Sequence, residues 1–131
     1  MLNNTTQRID KLQLFSPAFF QTKKESFKRL QLSGYKSNAN TYLKSFLENC
    51  FLPYQEKKII FGKHSETALH ELLYYEWEVE SLQLLLNRGI NIEVFLGLND
   101  RIIDVENARL FFLPYATVTT IKKANHFLQE N

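Results

Sequence analysis

The chain of 131 residues has the length of one domain, and its apolar fraction of 44% is ordinary for a protein that builds a core. Its 16 basic and 14 acidic side chains give a formal charge of +2, which excludes the strongly basic balance typical of nucleic-acid-binding proteins. The first ten residues are polar where a signal peptide needs an apolar stretch, and no apolar run approaches the roughly eighteen residues of a membrane span. We therefore expect a cytoplasmic protein with no membrane and no nucleic acid as partner.

The first half of the chain predicts one strand and a helical block. Residues 1–8 are interpreted as the polar end of a helix, and residues 9–15 (IDKLQLF) alternate as in a strand, closed by Ser16-Pro17. Residues 21–88 have a helical pattern with breaks expected near Ser33-Gly34, at Leu52-Pro53 and around Gly62-Lys63. Within it, the stretch HSETALHELLYYEWEVESLQLLLNRG predicts one long helix that stops at Gly89.

The second half predicts two further strands and their helices. Residues 90–96 (INIEVFL) are rich in β-branched and aromatic side chains, and residues 117–121 (TVTTI) form a shorter strand. Between them Asp104 is placed to cap a helix over residues 105–112, and a last helical turn is expected near Phe127. The element order predicts the α/β class, with about three parallel strands joined by right-handed crossovers and an open apolar edge at the first strand.

The loops that follow the second and third predicted strands carry the candidate site. The first loop, GLND, ends at Asp100, and the second, KKANHF, contains His126. Ligands bind at the carboxyl ends of strands in open α/β sheets, so the two loops should share one rim. Each residue taken singly is more often structural, the Asp as a turn residue and the His as a satisfied polar group. The strand before each and the order of acid before base favour a pair in which Asp100 orients the base His126.

A family resemblance rests on the stretch IEVFLGLNDRIIDVENARLFFLPYATVTTIKKANHFL. It resembles the C-terminal end of the α/β-hydrolase family, which has a Gly-x-x-Asp turn with the catalytic acid and an Asn-His or Gly-His loop with the base. The resemblance implies that Asp100 is the acid and His126 the base. The family usually has Pro where this chain has Asp104, a mild departure because Asp caps a helix as well as Pro starts one.

A closer likeness covers most of the chain. The segments LQLFSPAFF, ESFKRLQL and IEVFLGLND, together with the helical block, resemble the short pimeloyl-acyl-carrier-protein methyl ester esterases of biotin synthesis. The resemblance implies hydrolysis of a methyl ester on a carrier-bound chain, with the acyl-carrier protein as partner. It also implies one partial hydrolase domain over residues 1–131, in which residues 1–20 hold a helix end and the first strand, 21–88 a helical lid, and 89–131 the acid and the base.

The nucleophile of such an enzyme is missing from the sequence. A serine hydrolase of this family needs a serine in a G-x-S-x-G turn between a strand and a helix, and the chain has no such motif. Ser16 follows a strand, but its neighbour Pro17 has no N–H for the oxyanion hole, and Ser65 follows no strand. We expect that the nucleophile lies upstream of Met1 in a longer form, and that the chain alone hydrolyses no ester.

A basic cluster precedes the middle of the helical block. Lys23, Lys24, Lys28, Arg29 and Lys36 lie within fourteen positions that contain one acid, Glu25. They are interpreted either as a solvated helix face or as a docking patch for an acidic carrier protein, for which Lys23, Lys24, Lys28 and Arg29 are the candidate residues.

The remaining singled-out residues favour structural roles. The aromatic and leucine side chains around Tyr74, Tyr75 and Trp77 are interpreted as core, with an acyl channel as the alternative. The lone Cys50 is interpreted as a small buried apolar residue. His64 and His70 lack the spacing of a metal-binding helix, so the sequence predicts no metal and no cofactor. Three functions stay open: the esterase, another serine α/β-hydrolase, and a non-catalytic carrier-binding remnant.

Overall fold

Strands and helices alternate along the chain in the order that defines the α/β class. A computed structural model describes residues 9–57 and 63–131. Along these residues the elements are β1 (Lys11–Phe15), α1 (Glu25–Ser37), α2 (Ala39–Phe51), α3 (Glu66–Tyr74), α4 (Val79–Asn87), β2 (Asn91–Gly97), α5 (Val105–Phe112) and β3 (Thr117–Ile121). The prediction for residues 1–8 lies outside the described residues, as does Gly62 of the third expected break.

The three strands form one parallel sheet, as predicted, and lie in it in the order β1-β2-β3. In β2, Ile92, Val94 and Leu96 point into the core, and Val94 and Leu96 are fully buried. Their period of two follows from the pleat of the strand, which sends alternate side chains to opposite faces. Because β2 pairs with a strand on each side, the position of its carboxyl end is well defined. The loops after β2 and β3 are arranged around this end.

The core of the sheet is covered by α4 and α5, which both pack on β2. Leu82 and Leu85 of α4 and Ala108 and Phe112 of α5 are buried there. Complete burial of a leucine or phenylalanine side chain contributes about 1.5–3 kcal/mol to stability. These contacts therefore hold α4 and α5 on the sheet. α1 packs against α2 and α3 in a second group of helices, whose buried Cys50 and Leu73 belong to the same core as the sheet.

One expected break in the helical block is wrong. α1 continues through Ser33-Gly34 and ends at Ser37, where the side chain of Asn38 accepts a hydrogen bond from the Thr41 amide and starts α2. A Cβ on Gly34 would lie 3.3 Å from a ring carbon of Tyr42. The glycine therefore permits close packing of α1 on α2 rather than interrupting a helix.

The single long helix predicted up to Gly89 is also wrong, because it is divided into α3 and α4 at residues 75–78. The break is held by contacts with the segment after β1: the Trp77 amide donates to Oε1 of Gln21 at 2.6 Å, and its indole N–H donates to the Ala18 carbonyl at 2.8 Å. The ring packs edge-on against Phe112. Burial of Trp77 against distant residues thus replaces the local helical hydrogen bonds.

Three further boundaries predicted from the sequence are confirmed. α2 ends before a cis Leu52-Pro53 bond, Gly89 has φ +80°, and the Asp104 side chain accepts from the Asn107 amide to start α5. The helical turn expected near Phe127 is wrong, because that segment forms turns around Asn125. Among residues 9–57 and 63–131, no helix has the length and apolar character needed to cross a bilayer.

Candidate active site

The loops after β2 and β3 meet at the carboxyl rim of the sheet, and backbone hydrogen bonds join them. The Leu98 amide donates to the Ile121 carbonyl at 3.0 Å, and the Asn99 amide donates to the Ala124 carbonyl at 2.8 Å. These bonds extend the parallel pairing past the last residues of the strands. The loop that carries Asp100 and the loop that carries His126 are therefore one connected unit.

Asp100 and His126 are in direct contact, as the sequence predicted. Nδ1 of His126 lies 2.7 Å from Oδ2 of Asp100. The other carboxylate oxygen, Oδ1, accepts from the amides of Ile102 at 2.7 Å and Ile103 at 3.2 Å. The Asp100 side chain is completely buried, whereas 16% of the His126 side chain is exposed. The acid is fixed by three hydrogen bonds and the base reaches the protein surface.

This geometry gives the imidazole a defined chemical role. With Nδ1–H donating to the carboxylate, Nε2 carries the lone pair and can accept a proton. Nε2 makes no hydrogen bond with any residue that the structure describes. The buried carboxylate also stabilises the imidazolium that forms on proton transfer. The pair can therefore act as a general base, while its catalytic role stays a prediction.

Gly97, the last residue of β2, allows the two loops to approach each other. A Cβ at this position would lie 2.4 Å from the Ala124 carbonyl oxygen and 2.5 Å from the Asn125 carbonyl oxygen. Backbone atoms cannot rotate away from such a clash, so only glycine fits here without moving the base loop. In the sequence, Gly97 is the first residue of the Gly-x-x-Asp turn. That motif predicts the position of Asp100, but it does not by itself reveal the close approach of the two loops.

Asn125 organises the base loop, a role that the Asn-His dipeptide does not reveal in the sequence. It is fully buried, and its Oδ1 accepts from the amides of Phe127 at 3.0 Å and Gln129 at 2.9 Å. Its Nδ2 donates to the Phe51 carbonyl at 2.8 Å. Phe51 in turn packs on the ring of Phe127, with centroids 4.8 Å apart. The end of α2 thus holds the residue next to His126 in place.

Neither Ser16 nor Ser65, the two candidate substitutes for the nucleophile, is hydrogen-bonded to His126. Ser16 has φ +44° at the end of β1, and its Oγ is buried with no hydrogen-bond partner among the described residues. Its amide donates to the Phe95 carbonyl, and the next residue is Pro17. The hydroxyl of Ser65 is occupied as the N-cap of α3, where it accepts from the Ala68 amide at 3.0 Å. Neither is placed as an activated nucleophile.

The basic cluster of α1 is only partly on the surface. Lys28 is a correction: just 7% of it is exposed, and its ammonium lies 4.9 Å from the centre of the Tyr74 ring, so it cannot belong to a docking surface. Lys23 lies over the ring of Phe27, and Lys36 pairs with Glu66 at 3.2 Å. The exposed cations of the predicted docking residues are Lys24 and Arg29.

The other singled-out residues are distributed between core and surface. Trp77 is half-buried and packs against the core, Tyr75 is exposed, and Leu69, Leu72 and Leu73 line a cavity. His70 stacks on Tyr74, and no group of residues that could hold a metal ion occurs among residues 9–57 and 63–131.

Cys50 is fully buried, as predicted. Burial, followed by the nearby negative charge of Asp100, raises the pKa of its thiol to about 12. The thiol therefore stays protonated at neutral pH, which does not suit a nucleophile.

Comparison with known proteins gives no family: no protein-family model matches the chain, and no curated protein matches it significantly. The geometry of the acid and the base is thus the main physical evidence on function.

Proposed function

We propose that the chain is the acid–base part of a serine-type carboxylic ester hydrolase. The single observation that carries the proposal is the hydrogen bond of 2.7 Å between His126 Nδ1 and a buried Asp100 carboxylate. Its support is the placement of both residues after neighbouring parallel strands, the arrangement that serine α/β-hydrolases use. The serine would come from a segment preceding residue 1, since the 131 residues have no G-x-S-x-G turn.

In the proposed reaction His126 transfers protons in both the acylation and the deacylation half. Nε2 takes the proton of the serine hydroxyl as its oxygen attacks the ester carbonyl, and a tetrahedral intermediate forms. The imidazolium, stabilised by Asp100, then donates the proton to the departing alcohol. Water, activated by the same nitrogen, hydrolyses the acyl-enzyme and regenerates the serine. Throughout, Asp100 keeps the ring in the tautomer that leaves Nε2 basic.

The substrate we propose is the methyl ester of a pimeloyl chain on an acyl-carrier protein, in the cytoplasm. The resemblance of LQLFSPAFF, ESFKRLQL and IEVFLGLND to the short esterases of biotin synthesis supports it. α1, α2 and α3 would form the lid, and the exposed Lys24 and Arg29 would attract the acidic carrier.

The test compares the 131-residue chain with a form extended by the codons upstream of Met1. The extended form is expected to contain G-x-S-x-G and to hydrolyse p-nitrophenyl butyrate, whereas the short chain releases no p-nitrophenol. His126→Ala in the extended form should lower kcat by about 10³-fold or more. His70→Ala, at a histidine stacked on Tyr74, is the matched control and should leave kcat unchanged. Turnover by the short chain that His126→Ala abolishes would contradict the proposed upstream nucleophile.

Two other functions are distinguished by the same material. A non-catalytic carrier-binding protein is favoured by the missing nucleophile, and it would bind carrier without hydrolysis even in the extended form. Another serine hydrolase would cleave p-nitrophenyl butyrate but not the methyl ester of the carrier-bound pimeloyl chain. Assay of the extended form on both substrates therefore separates the three.

A further inference from the structure

A cavity of about 140 Å³ lies among α1, α2 and α3, beside the residues that follow Asp100. Phe20, Leu73 and Ile102 form buried parts of its wall, and Phe27, Phe46 and Leu69 are half-buried. Because the wall also includes the exposed residues Ser45 and Asn49, the cavity is open to solvent. Neither Asp100 nor His126 lines it, so it is separate from the candidate acid–base pair.

A second cavity of about 220 Å³ adjoins the first. The two share Tyr42, Phe46, Leu69 and Leu72 in their walls. The walls of the second cavity are mostly apolar, whereas polar and apolar atoms line the first about equally. Apolar space suited to an aliphatic chain therefore lies directly beside the first cavity.

The polar groups of the first cavity favour an anion. Arg101 is the one charged side chain among the described residues that line it. Its guanidinium makes no ion pair or hydrogen bond with residues 9–57 or 63–131. The Tyr42 hydroxyl donates to Oε1 of Gln31 at 2.9 Å, which leaves the Gln31 amide N–H groups as further donors. An exposed arginine with no ion-pair partner among the described residues and an amide donor thus both line the first cavity.

We propose that this cavity binds a medium-chain aliphatic carboxylate. The hydrocarbon chain would occupy the space between α1, α2 and α3, and the carboxylate would bind Arg101, whose planar guanidinium matches it with two parallel hydrogen bonds. The Gln31 amide would donate a third. The inference goes beyond the proposed hydrolysis, because the site uses neither Asp100 nor His126 and needs no nucleophile.

Calorimetric titration of the 131-residue chain with sodium octanoate tests the proposal. Octanoate is expected to bind saturably, and acetate, which lacks the chain, should not bind. Octanol, which lacks the charge, should bind about tenfold more weakly or worse. His126→Ala should bind octanoate as the unchanged protein does, which separates this site from the proposed catalytic pair.

Two variants in the cavity wall and one control variant outside it locate the site. Arg101→Met should weaken octanoate binding about tenfold or more while leaving octanol binding unchanged. Ser45→Trp places a large side chain at an exposed position on the cavity wall and should abolish the binding of both. Arg88→Met removes an exposed arginine at the C-cap of α4, outside the cavity wall, and should bind as the parent does. Circular dichroism confirms the fold of each variant.

The proposal is overturned if octanoate does not bind saturably, or if Arg101→Met and Arg88→Met bind it equally well. Equal affinity for octanoate and octanol would also overturn it, since the carboxylate would then contribute nothing.

Discussion

At the scale of the residue, Asp100 is the most constrained side chain of the candidate site. One oxygen accepts from two backbone amides and the other from the His126 ring, so rotation about its side chain would break three hydrogen bonds. Asn125 is held as firmly, because its side-chain oxygen and its side-chain nitrogen both make hydrogen bonds inside the protein. Because these bonds run to the backbone, the base is oriented by the fold itself rather than by flexible surface partners.

Cys50 gives a prediction at the same scale. Its pKa lies at about 12 against an ordinary 9.0, because burial and the Asp100 charge disfavour the thiolate. Iodoacetamide at pH 8 should label it slowly in the folded protein and rapidly in urea. The raised folded pKa stabilises the protein fully below pH 9.0, and this contribution should be lost as the pH rises toward about 12.

The control for the pH effect is Cys50→Ala, which removes the thiol and leaves the other titrating groups. The difference in the free energy of unfolding between the parent and Cys50→Ala should shrink above about pH 9. Rapid labelling of the native protein would show that the thiol is neither buried nor protonated as described.

At the scale of the element, the site depends on how closely the loop after β3 approaches the end of β2. Gly97 allows this approach, and Asn125 ties the same loop to the end of α2. Sequence patterns give the strands and the caps correctly but misplace two helix boundaries, at Ser33-Gly34 and near Trp77. In both places the residue, Gly34 or Trp77, packs against another element, and a local sequence pattern does not contain such contacts.

Gly97→Ala tests the close approach. The new methyl group would meet two backbone carbonyl oxygens, so the base loop has to shift, and the free energy of unfolding should fall by about 1–3 kcal/mol. The shift should also break the contact between His126 and Asp100, which is observable as loss of the hydrogen-bonded Nδ1 proton signal in the NMR spectrum. Urea unfolding measures the stability.

Gly34→Ala is the matched glycine control. Its methyl group would meet only a ring carbon of Tyr42 at 3.3 Å, and alanine favours the helix, so the stability should change by less than about 1 kcal/mol. Equal effects of the two substitutions would contradict the special role of Gly97.

At the scale of the whole molecule, the charges on α1 are divided between surface and interior. Lys24 and Arg29 are exposed, whereas Lys28 lies over the ring of Tyr74. Net charge and sequence clustering could not reveal this division, because it depends on the side of α1 that packs on α3. A carrier protein would therefore encounter fewer cations than the sequence suggests.

The division predicts opposite effects of two substitutions. Lys24→Glu with Arg29→Glu should weaken binding to an acidic carrier protein and remove its dependence on salt, with little change in stability. Lys28→Met should instead lower the free energy of unfolding by about 0.5–2 kcal/mol, through loss of the contact with Tyr74, and leave carrier affinity unchanged. Surface plasmon resonance at low and high salt measures the binding. Carrier binding that is indifferent to ionic strength would count against the docking role.

The sequence by itself determined the three parallel strands, the α/β class and the positions of Asp100 and His126, because these depend on the period of apolar residues and on turns that a few residues specify. The tertiary structure alone decided that α3 and α4 are separate, that Lys28 is buried, that Gly97 and Asn125 hold the base loop, and that Arg101 lines a cavity among α1, α2 and α3. Each of these is a contact between residues far apart in the chain, and the energy of such contacts is set by packing and burial rather than by local sequence.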